Sequence, residues 1–107
     1  MEIVEVQITC SDNESAQNIA EYLIKKQLVA CVNISSTFSL YSWKNELNKE
    51  EEYLVLLKTM PHCIEELIRE IKRIHPYELP AILYWKMTAT EEFGSWVKEQ
   101  VTRFEPN

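Results

Sequence analysis

One short segment of this chain places an imidazole, a phenol and a carboxylate between two prolines. It reads His75-Pro76-Tyr77-Glu78-Leu79-Pro80. Each proline fixes its own φ and biases the residue before it away from the helical region, so we expect an extended and rigid backbone. Such a corner could hold functional groups in fixed positions. It could equally be a connector from a helix to a strand whose polar groups meet water.

A cysteine and a histidine at the ends of predicted elements form a candidate metal site. Cys10 ends the first predicted strand and His75 ends the second predicted helix. Thiolate and imidazole are ligands that copper and zinc prefer, so the pair suits copper or another divalent cation. Two ligands alone do not define a strong site. The structural alternatives are a core thiol on the apolar face of the strand and an imidazole that interacts with the last helical carbonyl groups.

Other kinds of chemistry lack the residues that they require. The only glycine, Gly94, lies inside a predicted helix, so the sequence has no glycine-rich loop to cradle a phosphate. Hydrolysis through a cysteine and a histidine also needs an oxyanion hole and an orienting third group, and the sequence indicates neither. We therefore predict that the protein is not an enzyme.

Composition limits the class of protein and its partners. The 107 residues are 46% hydrophobic and 26% charged, which is typical of a single globular domain spanning residues 1–107. A net charge of -6 argues against a nucleic-acid partner, since such binding depends on clustered Lys and Arg. No apolar run is long enough to span a membrane, and Cys10, Cys31 and Cys63 lack CxxC spacing. We expect a cytoplasmic protein with reduced thiols and no membrane partner.

Hydrophobic periodicity predicts four strands and three helices. The strands are expected at residues 3–10, 28–43, 51–60 and 81–88. The helices are expected from Ser11 to about Lys26, from Pro61 to the His75 corner, and from Thr90 onward. Ser11 and Glu14 match a capping box, residues 35–37 suggest a bend or bulge, and residues 44–49 suggest a turn. The last helix should turn five side chains inward: Phe93, Trp96, Val97, Val101 and Phe104.

This order of elements predicts an α+β ferredoxin-like fold. The order β-α-β-β-α-β with a further C-terminal helix is that of the split βαβ sandwich, an antiparallel sheet with helices over one face. The second and third strands form a long hairpin. Apolar side chains on both faces of residues 53–57 require cover on both sides, which we expect another copy of the chain to provide. Tyr41 and Trp43 fall between the alternating apolar positions of the second strand, so their side chains should emerge on the other face of the sheet or beyond its edge. There they could line a ligand pocket or contact a neighbouring subunit.

Four motifs, in their order and spacing, resemble the CutA divalent-cation-tolerance proteins. They are Ala30-Cys31-Val32-Asn33, Ser39-Leu40-Tyr41-Ser42-Trp43-Lys44, Leu57-Lys58-Thr59 and the His75–Pro80 segment. The resemblance covers nearly the whole chain. It implies a cytoplasmic homotrimer whose long second and third strands pack between subunits, similar in architecture to PII signalling proteins. It also implies a role in tolerance of copper and other divalent cations.

The resemblance implies a set of metal ligands from which this chain departs at one position. In a bacterial member, copper contacts come from a cysteine that ends the first strand and from two successive histidines before Pro-Tyr. The matching positions here are Cys10, Ile74 and His75. Because isoleucine cannot bind a metal, water, His62 or a neighbouring subunit would have to complete the site. We expect weaker binding than at a site with three ligands.

The resemblance to PII trimers also suggests a different function. The protein would then be a signalling or scaffolding trimer that binds a small regulatory ligand in the cleft between subunits. The candidate cleft residues are Trp43, Lys58, Tyr77 and Glu78. Lys58 lies among apolar strand residues, so its ammonium group needs a negative partner. Glu78 or a carboxylate of the ligand could supply that partner.

Overall fold

A four-stranded antiparallel sheet organises residues 1–101, which are the residues that the computed structural model describes. The strands are β1 (Glu2–Cys10), β2 (Cys31–Trp43), β3 (Glu46–Thr59) and β4 (Leu83–Thr88). The helices are α1 (Asn13–Lys25), α2 (Ile64–Ile74) and α3 (Glu91–Val101). The strand order is β2-β3-β1-β4. The predicted ferredoxin-like fold, with its long hairpin and C-terminal helix, is confirmed.

The main core lies between one face of the sheet and helices α1 and α2. Alternation along β1 turns four side chains toward the helices: Val4, Val6, Ile8 and Cys10. Helix α1 contributes Leu23, and α2 contributes Leu67 and Ile71. Burying each large aliphatic side chain stabilises the fold by about 1.5–3 kcal/mol. None of the helices in residues 1–101 is long and apolar enough to cross a membrane.

Two helix starts follow from a single residue each, a capping aspartate and a proline. The carboxylate of Asp12 accepts the N–H of Ser15 at 2.7 Å, so Asp12 caps α1. The predicted capping box of Ser11 and Glu14 is therefore wrong by one position. A carboxylate cap also interacts favourably with the helix dipole, which the hydroxyl of Ser11 would not do. Pro61 begins a 3-10 turn (Pro61–Cys63) that leads into α2, in agreement with the sequence.

Helix α3 buries a narrower stripe than the sequence predicted. Thr90 Oγ1 accepts the N–H of Phe93 at 3.3 Å, so the predicted cap is confirmed. Val97 and Val101 are buried, whereas Phe93 and Trp96 are 39% and 41% exposed. The buried positions, Gly94, Val97 and Val101, follow the helical repeat, and the two aromatic residues lie about 100° to one side of that stripe. The prediction for Phe104 falls outside the described residues.

Strands β2 and β3 form one uninterrupted hairpin. Their ladder runs from the Cys31–Lys58 pair to the Trp43–Glu46 pair without skipping a residue, so the predicted bulge at residues 35–37 is wrong. The turn contains only Lys44 and Asn45, with φ of 51° and 67°. Two left-handed residues give a turn whose twist matches that of the strands. The predicted turn over residues 44–49 is thus too long, because the polar residues after Asn45 already pair with β2.

Strands β2 and β4 also begin later than predicted. Residues 28–30 are buried but precede β2, which starts at Cys31, and residues 81–82 precede β4, which starts at Leu83. Gln27, with φ of 60°, ends the turn after α1 in the left-handed region. Leu28 and Val29 belong to the main core. At residues 28–30, apolar periodicity therefore indicates burial correctly and ladder pairing incorrectly.

The outer half of the hairpin projects beyond the helices, and we refer to residues 36–51 as the hairpin arm. Phe38, Leu40 and Leu47 are 59%, 59% and 68% exposed on the face that continues the main core. Tyr41 and Trp43 lie on the opposite face and are also exposed, as their change of parity predicted. The hairpin arm therefore presents apolar surface on both faces.

Candidate functional site

The His75–Pro80 segment lies where β1 ends beside β3. The ladder between these strands stops at the Cys10–Tyr53 pair, and Glu52 is the next residue of β3. Tyr77 reaches Glu52 from the segment, while His75 reaches back to the end of β1. His75 and Glu52 are only 7% and 6% exposed. The fold thus gathers Cys10, Glu52, His75 and Tyr77 into one largely buried cluster.

The conformation of His75 follows from the proline behind it. Helix α2 ends at Ile74, and His75 has φ of -73° and ψ of 132°. This extended conformation is the one that Pro76 favours in the preceding residue, and it confirms the prediction from the sequence. The N–H of His75 still donates to the Ile71 carbonyl at 2.9 Å. The backbone therefore completes the helix while the side chain turns toward β1.

Both ring nitrogens of His75 form hydrogen bonds. Nδ1 accepts the N–H of Tyr77 at 3.1 Å, and Nε2 lies 2.7 Å from the carbonyl oxygen of Thr9. An amide can only donate and a carbonyl can only accept, so the ring proton lies on Nε2. In this tautomer the only ring lone pair is already used by the Tyr77 amide.

The thiol of Cys10 lies beside this imidazole. Its Sγ lies 4.0 Å from His75 Nε2, and the residue is fully buried. Burial raises the pKa of the Cys10 thiol to about 11, and the negative charges of Asp12 and Glu52 act in the same direction. The thiol is therefore protonated at neutral pH, and a cation that binds Cys10 must displace this proton.

Tyr77 connects the corner to the base of the hairpin arm. Its phenol donates to Glu52 Oε2 at 2.6 Å, and its ring contacts the His75 ring edge to face, with centroids 4.6 Å apart. Burial, together with the hydrogen bond to the Glu52 carboxylate, raises the pKa of Tyr77 well above its ordinary value. The phenol is therefore a stable hydrogen-bond donor at physiological pH.

The donor pair suits copper or zinc but is incomplete within one chain. No three His, Cys, Asp or Glu side chains within residues 1–101 form a group that could hold a metal ion. Ile74 packs against the main core instead of offering a donor. His62 cannot complete the site in the same chain, because it lies at the opposite end of α2 and its Nε2 is 3.4 Å from Cys63 Sγ. A complete coordination sphere needs water or another subunit.

The predicted partner of Lys58 is wrong. Lys58 Nζ lies 3.0 Å from the carboxylate of Glu5 and donates to Asn33 Oδ1 at 3.1 Å. Glu5 is directly opposite Lys58 in the β1–β3 ladder, which brings the two charges together without any loop residue. Glu78 instead lies 3.7 Å from the exposed Lys44. The ammonium group of Lys58 therefore has its negative partner within the sheet.

The four cleft candidates do not meet in one chain. Lys58 is opposite the first residue of β2, and Trp43 is the last residue of that strand. The 13 residues of β2 span about 40 Å at ~3.3 Å per residue. Tyr77 contacts Glu52, which is opposite the middle residue of β2, and Glu78 contacts Lys44, next to Trp43. A cleft with all four residues would have to combine different subunits.

Two members of the buried cluster around His75 are not clearly marked in the sequence. Glu52 ends a run of three glutamates, and only the structure distinguishes it from its exposed neighbours. A weak signal is its position just before the apolar residues of β3. The Thr9 carbonyl is a backbone group, and no residue type marks it.

Known proteins share this fold and much of this sequence. Residues 4–100 match the family model described as CutA1 divalent ion tolerance protein. The protein CutA homolog of Danio rerio is 32% identical over 97 residues, which are 89% of this chain and 65% of that protein. The divalent-cation tolerance protein CutA of Thermotoga maritima is 35% identical over 94 residues, which cover 87% and 93% of the two chains.

A solved structure gives the same result. The periplasmic divalent cation tolerance protein CutA from Archaeoglobus fulgidus has a TM-score of 0.89 and 31% identity, covering 94% of this chain and 99% of that one. The present chain thus spans about two thirds of the Danio rerio relative and nearly all of the other two proteins. Sequence and structure together assign the chain to the CutA1 divalent ion tolerance protein family.

Proposed function

We propose that this protein is a non-enzymatic, homotrimeric divalent cation tolerance protein of the cytoplasm in which Cys10 and His75 bind copper or another divalent cation. The observation that carries the proposal is the 4.0 Å approach of Cys10 Sγ to His75 Nε2. Thiolate and imidazole together favour copper and zinc over calcium or magnesium. The names of the family and of its relatives refer to tolerance of divalent cations.

Binding at this pair has two costs that limit its affinity. The cation must replace the proton of a buried thiol, and it must compete with the existing hydrogen bonds of the imidazole. With only two protein ligands, the remaining positions fall to water or to a neighbouring subunit. These costs support a role in sensing or buffering an excess of cation rather than in holding a permanent metal.

The hairpin arm supports assembly of several copies. Its two faces carry Phe38, Leu40 and Leu47 on one side and Tyr41 and Trp43 on the other. A twofold contact uses one self-complementary patch, whereas an arm with two apolar faces suits insertion between two neighbours in a closed ring. Three copies are the smallest such ring, in keeping with the trimer implied by the resemblance.

The cysteines support a reducing compartment. Cys10, Cys31 and Cys63 are all free thiols. The Archaeoglobus fulgidus relative is described as periplasmic, so the location needs a direct test. Cell fractionation with antibodies against this chain should place it with cytoplasmic markers. Recovery with periplasmic or extracellular markers would contradict that part of the proposal.

The cation site can be tested with a matched pair of cysteine variants. Cys63 is also buried and also lies near a histidine, His62, but at the other end of α2. We expect Cys10→Ala and His75→Ala to weaken Zn²⁺ or Cu²⁺ binding at least about tenfold in a calorimetric titration, while Cys63→Ala leaves it unchanged. Equal affinities for the wild type and all three variants would remove Cys10 and His75 from this role.

A signalling trimer that binds a small ligand between subunits is the second candidate function. It is favoured by the end of the hairpin arm, where Lys44 Nζ lies 5.6 Å from the ring centre of Trp43 and 3.7 Å from Glu78. A thermal-shift screen of anionic metabolites against wild type and Trp43→Ala tests this function. A ligand that stabilises the wild type alone would support it, and a lack of any stabilisation would contradict it.

A further inference from the structure

A chain of hydrogen bonds connects the proposed cation site to the base of the hairpin arm. It runs from the Thr9 carbonyl through the His75 ring to the amide of Tyr77, and from the Tyr77 phenol to Glu52. Along β3, burial begins at Glu52, immediately after the exposed residues of the hairpin arm. Tyr77 is therefore held at both ends, by the imidazole at its backbone and by a buried carboxylate at its side chain.

Coordination by His75 is incompatible with the hydrogen bond at Nδ1. A cation shared with Cys10 would bind Nε2, the nitrogen that faces Sγ. The ring proton would then move to Nδ1, where it would oppose the N–H of Tyr77. If the cation bound Nδ1 instead, it would take the lone pair that the Tyr77 amide now uses. Either mode leaves the amide without its acceptor.

The flanking prolines limit how the corner can respond. Pro76 and Pro80 fix their own φ, which removes two of the backbone rotations by which the segment could absorb a displaced amide. Because the amide and the ring of Tyr77 are joined through its Cα, we expect a movement of the amide to move the ring. The phenol depends on a single 2.6 Å contact with Glu52, and a small displacement lengthens that contact beyond hydrogen-bond distance.

We propose that a cation bound by Cys10 and His75 displaces the Tyr77 amide and breaks the Tyr77–Glu52 hydrogen bond, so that cation binding releases the corner from the hairpin arm. This inference rests on the proposed cation site. Cation binding must break the hydrogen bonds of Tyr77 with His75 and Glu52, so these hydrogen bonds lower the affinity for the cation. The cation in turn weakens the same hydrogen bonds by the same factor. Tyr77 acts as a positioning residue, not as a ligand.

Affinity measurements on Tyr77→Phe test the coupling. The variant lacks the phenol hydroxyl that donates to Glu52, so we expect it to bind Zn²⁺ about five- to tenfold more tightly than the wild type. Tyr22→Phe is the matched control, because the Tyr22 phenol donates to Glu70 at 2.5 Å on the surface of α1 and α2. It should bind Zn²⁺ like the wild type. An unchanged or weaker affinity of Tyr77→Phe would overturn the proposal.

A double variant separates release of the corner from a simpler cause. Without Tyr77 the carboxylate of Glu52 could turn to the cation and serve as a third ligand. The double variant Tyr77→Phe/Glu52→Gln removes that charge. If the gain in Zn²⁺ affinity persists in the double variant, release of the corner is its cause. If the gain disappears, Glu52 acts as a ligand and the proposed coupling is wrong.

Nuclear magnetic resonance distinguishes failure of the coupling from failure of the cation site. In the metal-free protein, His75 should show a protonated Nε2, and the Tyr77 amide should be protected from hydrogen exchange. Zn²⁺ should shift the His75 ring nitrogens and abolish that protection. Shifted His75 signals with a protected Tyr77 amide would overturn the coupling and leave the cation site intact. Unchanged His75 signals in excess Zn²⁺ would overturn both.

Discussion

Lys58 and Glu5 form an ion pair in the middle of the sheet, with 3.0 Å between Nζ and the carboxylate and little exposure of either side chain. They are direct neighbours in the β1–β3 ladder, and Asn33 on β2 accepts a second hydrogen bond from the ammonium group. A largely buried charge is tolerated only when it is paired. The pair accounts for the lysine within an apolar strand without requiring a ligand.

Breaking this ion pair from one side should destabilise the protein strongly. Lys58→Met leaves the Glu5 carboxylate buried without a counter-charge, which costs about 3–5 kcal/mol of unfolding free energy. The double variant Lys58→Met/Glu5→Gln removes both charges and should recover most of that loss. Urea denaturation of the wild type, both single variants and the double variant gives the coupling energy. Additive single effects would show that the two charges do not stabilise each other.

The sequence contains the periodic features of this fold but few of its long-range partners. Alternation along β1 and the two prolines around Tyr77 predict a buried strand face and an extended corner, because both depend on neighbouring residues alone. The sequence does not reveal the hairpin turn, since Lys44 and Asn45 lack the glycine that usually marks a two-residue turn. The pairing of Tyr77 with Glu52 spans 25 residues, and in the sequence Glu52 differs from Glu50 and Glu51 only by its position just before the apolar residues of β3.

Removal of Trp43 should weaken assembly more than it weakens the subunit. Its indole lies on the hairpin arm and is 37% exposed within one chain, so Trp43→Ala should cost several kcal/mol of association free energy, on the order of an interface hot spot. Sedimentation should detect smaller species at micromolar concentration, and the melting temperature should rise with protein concentration.

Trp96 provides the control for this measurement, because it is about as exposed as Trp43 but lies on α3. Trp96→Ala should leave the sedimentation of the protein unchanged. A wild type that sediments as a monomer at all concentrations, with a constant melting temperature, would contradict the proposed trimer. Equal losses of assembly in both variants would show that the hairpin arm has no special role.

Alkaline pH should destabilise the fold partly through Cys10. The folded state holds the pKa of this thiol at about 11, against an ordinary value of 9.0, so the unfolded chain releases the proton first as pH rises. The contribution to stability is complete below pH 9 and is lost between pH 9 and 11, amounting to about 3 kcal/mol. Urea denaturation at pH 8, 9.5 and 10.5 measures the loss. In Cys10→Ala this part of the slope should be absent, and an identical slope would contradict the argument.

Cation binding should release a proton from the protein. Since the Cys10 thiol is protonated at neutral pH, its conversion to a thiolate ligand sets free about one proton for each cation bound at pH 7.5. Calorimetric titration of Zn²⁺ in two buffers with different ionisation enthalpies measures this number directly. Cys63→Ala should release the same number, whereas Cys10→Ala should release none. Binding without proton release in the wild type would mean that the cation uses donors other than Cys10, and that the short distance between Cys10 and His75 has a purely structural role.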